Sequence, residues 1–253
     1  QFTLDALVSD LTINQTYQVD IPSGFLVDSN ETSYAGTAYT FSVEPAFNKL
    51  FTFGRNDYGQ LGHGDTVSPV KSPVQIPSNT AWKAGWGEIN QDDAYNGAAV
   101  KKDGTLWCWG RNSFGAMGIN TPSSNPTSAY SSPVQVPGTT WSQVSIGNGM
   151  ACAIKTDGTL WAWGGGGNGN LGQNDVVSRS SPIQIPGTTW SYVISSGSGA
   201  IATKTNGTLW AWGYGATGRL GLNNQTQYSS PTQIPGTTWT DKISVRNTGC
   251  FAI

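Results

Sequence analysis

The sequence predicts an all-β chain arranged as a β-propeller, with a short β-rich segment ahead of the repeats. Three observations predict it. A block of about 50 residues recurs along the chain, each copy holds short apolar runs separated by turn residues, and no stretch shows helical periodicity. Composition agrees. The 253 residues include 33 Gly and 11 Trp, too Gly-rich for a helical chain and too aromatic for a disordered one.

The string Leu106-Trp107-Cys108-Trp109-Gly110 returns as Leu160-Trp161-Ala162-Trp163-Gly164 and Leu209-Trp210-Ala211-Trp212-Gly213, with a weaker copy at Leu50-Phe51-Thr52-Phe53-Gly54. Asp103-Gly104, Asp157-Gly158 and Asn206-Gly207 precede the three strong copies. Such dipeptides between apolar runs mark hairpins, and a type I′ turn is expected there. A Gly-rich loop follows each string, as in Gly54 to Gly62, Gly110 to Gly118, Gly164 to Gly172 and Gly213 to Gly221. Next comes an extended piece ending in proline, such as Ser132 to Pro137, then Gly-Thr-Thr-Trp at 138–141, 187–190 and 236–239. Each unit thus reads as three or four short strands. A sheet this small cannot bury both faces alone, so neighbours must stack. Radial stacking also shields strand edges, whereas a linear β-solenoid would not need a hairpin in every unit.

Residues 1–38 fall outside the repeat and form a lead-in, with repeats over 39–253. Alternation in Thr16 to Ile21 reads as a strand, and Ile21 to Gly24 as a turn. The chain opens at Gln1, without a basic region followed by an apolar one. Either a leader has been removed or the chain is a piece of something longer.

The Asp-Gly-Thr-Leu-Trp-x-Trp-Gly, Gly-x-x-Gly-x-Leu-Gly and Pro-x-x-Ile/Val-Pro motifs resemble the repeats of the regulator of chromosome condensation family over roughly residues 40 to 253. The resemblance implies a propeller, typically of seven blades. Four string copies and a fifth unit starting at Trp239 stand here, so the chain is either a portion of a longer propeller or a smaller ring completed by the strand near Tyr39 to Val43. One branch of the family exchanges guanine nucleotides on a small GTPase, and no residue here maps onto that activity. The near-identical Gly-Thr-Thr-Trp and Ser-Pro-x-Gln-Ile-Pro repeats are similar to those of bacterial and phage surface or tail-associated proteins.

Charge excludes several functions. Thirteen Lys+Arg against 15 Asp+Glu give a net charge of −2 with 11 % charged residues, under half the roughly 25 % usual for a soluble domain. No nucleic-acid binding by counterion release is expected, and no apolar stretch approaches the roughly 20 residues of a membrane helix. Cys108, Cys152 and Cys250 lack metal-ligand spacing. Cys152 and Cys250 occupy the same slot two units apart, too far for a disulfide, and Cys108 takes the slot of Ala162 and Ala211, so three unpaired thiols are expected. The Trp-x-Trp pairs read as blade packing rather than a sugar platform. Gly164 to Asp175 only superficially matches a phosphate loop, since no helix follows it. His63 with Asp65 lacks a nucleophile. Sequons at Asn14, Asn30, Asn206 and Asn224 arise readily in so Asn- and Thr-rich a chain.

No catalytic residue, cofactor or metal is therefore expected. Binding falls to the loops on a rigid scaffold: Asn120 to Tyr130, Asp175 to Arg179, Asn223 to Tyr228 and the unrepeated insertion around Trp86, Asp92 and Asp93. Tyr130, Arg179 and Tyr228 join those three as candidate contacts. The expected function is a non-enzymatic structural or adhesion module of a virion or bacterial surface, extracellular, recognising a protein or surface glycan or other copies of itself in a symmetric assembly. The alternative is a soluble regulator or inhibitor that grips one protein with a propeller face.

Overall fold

The computed structural model describes the backbone of residues 16–21 and 37–42, and all atoms of 49–78, 81–83, 95–121, 128–245 and 249–253. Contacts divide the chain into two units, Gln1–Phe47 and Asn48–Ile253. In the first, β1 (Thr16–Ile21) pairs antiparallel with β2 (Thr37–Ser42), Thr16 facing Ser42 and Ile21 facing Thr37. The strand expected at Thr16 to Ile21 is β1. The boundary expected at 38/39 falls inside β2, and the turn expected at Ile21 to Gly24 runs outside the described residues.

The second unit is a series of antiparallel meanders. Sheet I pairs β3 (Phe51–Gly54) with β4 (Val70–Gln75). Sheet II orders β5 (Asn96–Val100), β6 (Leu106–Arg111) and β7 (Ala129–Val136), and Trp82 bridges Lys101 beside β5. Sheet III holds β8 (Trp141–Gly147), β9 (Met150–Lys155), β10 (Leu160–Gly164) and β11 (Arg179–Ile185). Sheet IV repeats it with β12 (Trp190–Ser196), β13 (Gly199–Lys204), β14 (Leu209–Gly213) and β15 (Tyr228–Ile234). Sheet V pairs β16 (Ile243–Val245) with β17 (Cys250–Ala252). The only helical element among the described residues is a 3-10 turn at Ser113–Gly115.

First strands of successive sheets lie together: β8 packs on β12, and β12 on β16. Gln143 donates to the Val193 carbonyl and accepts the Val193 N–H, while the Ser145 hydroxyl accepts from the Ser195 N–H. The hydrophobic cores lie between sheets. One joins Val100, Leu106 and Cys108 of sheet II to Val144, Ile146 and Trp163 of sheet III, and the next joins Met150 and Leu160 to Val193 and Trp212. Propeller stacking is the arrangement that buries both faces of such sheets.

The hairpins differ from the expected type I′. The Gly158 N–H bonds to the Lys155 carbonyl at 3.0 Å, and only Gly158 of the Asp-Gly pair has positive φ, at 77°. This is a type I turn closed by a left-handed glycine, the three-residue form of hairpin. The Asp157 carboxylate accepts from both the backbone N–H and the hydroxyl of Thr159. Those bonds hold Asp157 out of the left-handed region and keep its carboxyl below the usual carboxylate range. Asp103 and Thr105 repeat the pattern, and Asn206 accepts likewise from Thr208.

The tryptophan pairs explain the repeat. Residues i and i+2 of a strand share a sheet face, so Trp161 and Trp163 both stand on one face of β10. Directly opposite them on β9 are Ala153 and Ala151, and opposite Trp210 and Trp212 are Ala202 and Ala200. Small residues there leave room for indoles to lie across the sheet. Trp109, Trp163 and Trp212 are buried, whereas Trp107, Trp161 and Trp210 are half-buried at the rim beside the Asp-Gly turn. The reading of all six as packing residues needs that refinement. Each buried indole reaches the Gly-rich loop of the preceding unit, where Trp109 donates to Gln60, Trp163 to Ala116 and Trp212 to Asn170, at 2.8–2.9 Å.

The three cysteines are unpaired, with Cys108 and Cys152 buried. Burial pushes both thiols far up, and pushes Cys250 up to about 11 despite nearby Arg219. The thiolate is the reactive form, so iodoacetamide at pH 8 is expected to leave Cys108 and Cys152 unlabelled in the folded chain. All three should label in guanidinium. Mass spectrometry reads the outcome, and native labelling of Cys152 would contradict this burial.

Candidate functional site

Three of the expected contact residues share one structural position. Tyr130, Arg179 and Tyr228 pair with Gly110, Gly164 and Gly213 at the bulge of successive sheets. Each is half-buried and tied to its own loop: Tyr130 hydroxyl to Thr121 at 3.5 Å, Arg179 to Asp175 at 2.7 Å, and the Tyr228 hydroxyl accepting from Asn224 at 3.0 Å. These side chains anchor the loops they were expected to arm. Trp86, Asp92 and Asp93 lie outside the described residues. His63 turns to Thr52, at 2.8 Å, and Asp65 accepts from Asn56 and Val67, so the two do not form a pair. Among the described residues no three of His, Cys, Asp and Glu gather as metal ligands.

A cluster that the sequence reading missed lies at the Gly-loop end of the strands. Arg55 and Tyr58 stand on the loop after β3, Tyr95 precedes β5, and Arg111 ends β6. The Tyr58 and Tyr95 rings meet edge-on at 4.8 Å. The Arg55 guanidinium lies 5.4 Å from the Tyr95 centroid, and Arg111 lies 5.3 and 5.6 Å from those of Tyr58 and Tyr95. Arg55 also pairs with Asp57, and that carboxylate holds the guanidinium above its ordinary value. The Arg55 side chain is 59 % exposed, whereas Tyr58, Tyr95 and Arg111 are half-buried. Nearby, Phe114 is 63 % exposed at a positive φ of 56°. Further along the same end, Arg219 sits 5.2 Å from the Tyr214 centroid.

These residues break the repeat. Gly165 fills the slot of Arg55 and Arg111 in the third unit, Asn168 that of Tyr58 and Phe114, and Gly149 that of Tyr95. Side chains needed for the fold recur in every unit, whereas these do not. Stacked guanidinium and phenol groups are rigid, amphipathic and already partly desolvated. Arg and Tyr of that kind concentrate binding energy at protein interfaces.

The profile of the regulator of chromosome condensation (RCC1) repeat matches residues 48–83, 103–154, 157–201 and 206–250. The chain belongs to the RCC1 repeat family. Over 132 residues it is 32 % identical to the human E3 ubiquitin-protein ligase HERC2, covering 51 % of this chain and 3 % of that one. Over 151 residues it is 32 % identical to the Arabidopsis thaliana ultraviolet-B receptor UVR8, covering 57 % and 31 %. The chain thus spans a minor part of these relatives. Among solved structures it is similar to human WBSCR16, with TM-score 0.63 and 20 % identity over 75 % of this chain and 49 % of the other. It is also similar to Prp20p of Saccharomyces cerevisiae, described with its binding to Gsp1p and histones, with TM-score 0.62 and 19 % identity over 79 % and 48 %. Those two likenesses establish the propeller fold.

Proposed function

We propose that this RCC1-type unit is a non-catalytic protein-binding module with a regulatory role, and that its partner docks on the Gly-loop end of the sheets. One observation carries the reading: a cluster of two arginines and two tyrosines, opened to solvent at Arg55, occupies slots that the third unit leaves to Gly165, Asn168 and Gly149. The family supports it, since Prp20p is described as binding proteins. The relatives favour this regulator reading over the adhesion module expected from composition. Extracellular or virion placement rests on low charge, a Thr-, Ser-, Asn- and Gly-rich composition, loop lengths that vary between units, and the likeness of the repeats to those of bacterial and phage surface proteins.

Partners captured with the full chain from its source are to be identified by mass spectrometry, purified and titrated by calorimetry. The double variant Arg55→Ala/Tyr58→Ala should bind at least about tenfold more weakly, as loss of a hot-spot pair does. Val74→Ala, 39 % exposed on the outer strand β4 away from the Gly-loop end, should bind like the parent. Undiminished binding by the double variant would remove the Gly-loop end from the interface.

A further inference from the structure

The opposite end of the strands carries an independent set of groups. Trp82, Trp141 and Trp190 are only 3, 2 and 3 % exposed, yet among the described residues their indole N–H groups have no hydrogen-bond partner. Leaving a buried donor unpaired is costly, and here it happens at the same place in three successive sheets. Over each ring stands the lysine that follows or ends the second strand. Lys101 lies 5.2 Å from the Trp82 centroid and 4.2 Å from that of Trp107. Lys155 lies 4.9 and 4.4 Å from Trp141 and Trp161, and Lys204 lies 4.4 and 4.7 Å from Trp190 and Trp210. Neither ion pair among the described residues involves these ammonium groups.

The two kinds of donor converge. A Cβ placed on Gly138 would stand 3.6 Å from Trp141 Nε1 and 3.8 Å from Lys155 Nζ. On Gly187 it would stand 3.8 Å from Trp190 Nε1 and 3.4 Å from Lys204 Nζ. In sheet II the corresponding hollow is a cavity of 560 Å³ lined by Pro77, Ser78, Trp82, Lys101, Trp107 and Pro133. The fourth copy lacks the pattern: Trp239 Nε1 donates to the Pro235 carbonyl at 3.2 Å. The loop carbonyl can therefore serve the indole, but does not where a lysine covers the ring.

We propose that each Trp–Lys pair is a seat for a carboxylate, the indole N–H and the ammonium donating to its oxygens, and that the ligand is an acidic segment of a protein partner. A carboxylate offers two acceptors and one negative charge, which matches one neutral and one cationic donor. Indole faces wall the hollow on two sides, so the charge–charge attraction is screened less than on an open surface. The surroundings are basic. A second cavity of 390 Å³ between sheets II and III is lined by Lys83, Lys101 and Lys102 with Asp103, and Asp103 is already engaged by Thr105. Burial holds the Lys101 and Lys204 ammonium groups below the ordinary lysine range, a cost that a bound carboxylate would offset. Three equivalent seats suit a segment with several acidic side chains, because linked contacts raise avidity. The inference is separate from the Arg–Tyr cluster, and either can fail alone.

The test follows the indole N–H resonances of the full chain by two-dimensional ¹⁵N NMR during titration with hexaglutamate, with sodium acetate and with sodium chloride at matched ionic strength. Hexaglutamate should move the Trp82, Trp141 and Trp190 signals downfield and saturably, and at lower carboxylate concentration than acetate. Lys101→Met, which keeps the packed stem, should abolish the Trp82 shift and leave the other two. Equal shifts with chloride, an absent shift, or a response to acetate without hexaglutamate would each overturn the proposal. So would a Lys101→Met chain whose Trp82 signal still responds.

Discussion

Replacing Trp163 by alanine is expected to lower the unfolding free energy by about 3–5 kcal/mol, the usual loss when a large buried aromatic is truncated. The side chain is fully buried between sheets II and III, within the core that also holds Val100, Leu106 and Val144. Its ring lies 6.2 Å from that of Trp141, and its N–H crosses to the Ala116 carbonyl of the preceding unit at 2.9 Å. Truncation opens a cavity, leaves that carbonyl unpaired and loosens the joint between two sheets together. Trp161→Ala should cost clearly less, because that ring is half-buried at the rim and its N–H bonds only to Thr159 of its own turn. Denaturant unfolding followed by circular dichroism measures both. Equal losses would show that the buried indole does not join the units.

Gly164→Ala is expected to destabilise the chain strongly, well beyond Gly54→Ala, although the two glycines occupy the same slot. Both have left-handed backbones, with φ of 97° and 113°. Forcing alanine into such a conformation costs about 1–3 kcal/mol at either site. The difference lies in the neighbours. A Cβ on Gly164 would stand 2.3 Å from the Gly149 carbonyl oxygen, a backbone atom that cannot swing aside, whereas among the described residues one on Gly54 meets nothing within 4 Å. Gly164 pairs with Met150 at the end of β9, and the Gly165 N–H bonds to that same Gly149 carbonyl at 2.8 Å. Alanine would push this bond apart. Comparing the two unfolding midpoints subtracts the shared backbone strain. If they fall equally, close approach at the bulge is not what demands glycine.

Much of this architecture was legible because the repeat prints each structural role several times. The Leu-Trp-x-Trp-Gly strings became β6, β10 and β14, and the Gly-rich loops became the cradle for the next unit's indole. The hairpin type was misjudged, since an Asp-Gly pair is compatible with two turn geometries and the Asp157–Thr159 hydrogen bonds select between them. Candidate contacts were sought where the loops vary in length. That search found Tyr130, Arg179 and Tyr228, which anchor their own loops. A second signal is departure from the repeat at constant register: Gly165, Asn168 and Gly149 of the third unit stand where Arg55 and Arg111, Tyr58, and Tyr95 stand in the first two.

Alternation and recurrence are local properties, so the order of residues alone determined the strands, their antiparallel pairing and the need for neighbouring sheets to cover one another. Which side chains meet across a sheet joint depends on distances that no local pattern encodes. Only the folded chain brought Arg55 of one unit over Tyr95 of the next, and left the Trp82, Trp141 and Trp190 N–H groups unpaired beneath lysines. The physical reason is that hydrophobic burial drives the sheets together without regard to direction, while hydrogen bonds and ring contacts form or fail within fractions of an ångström once they are there.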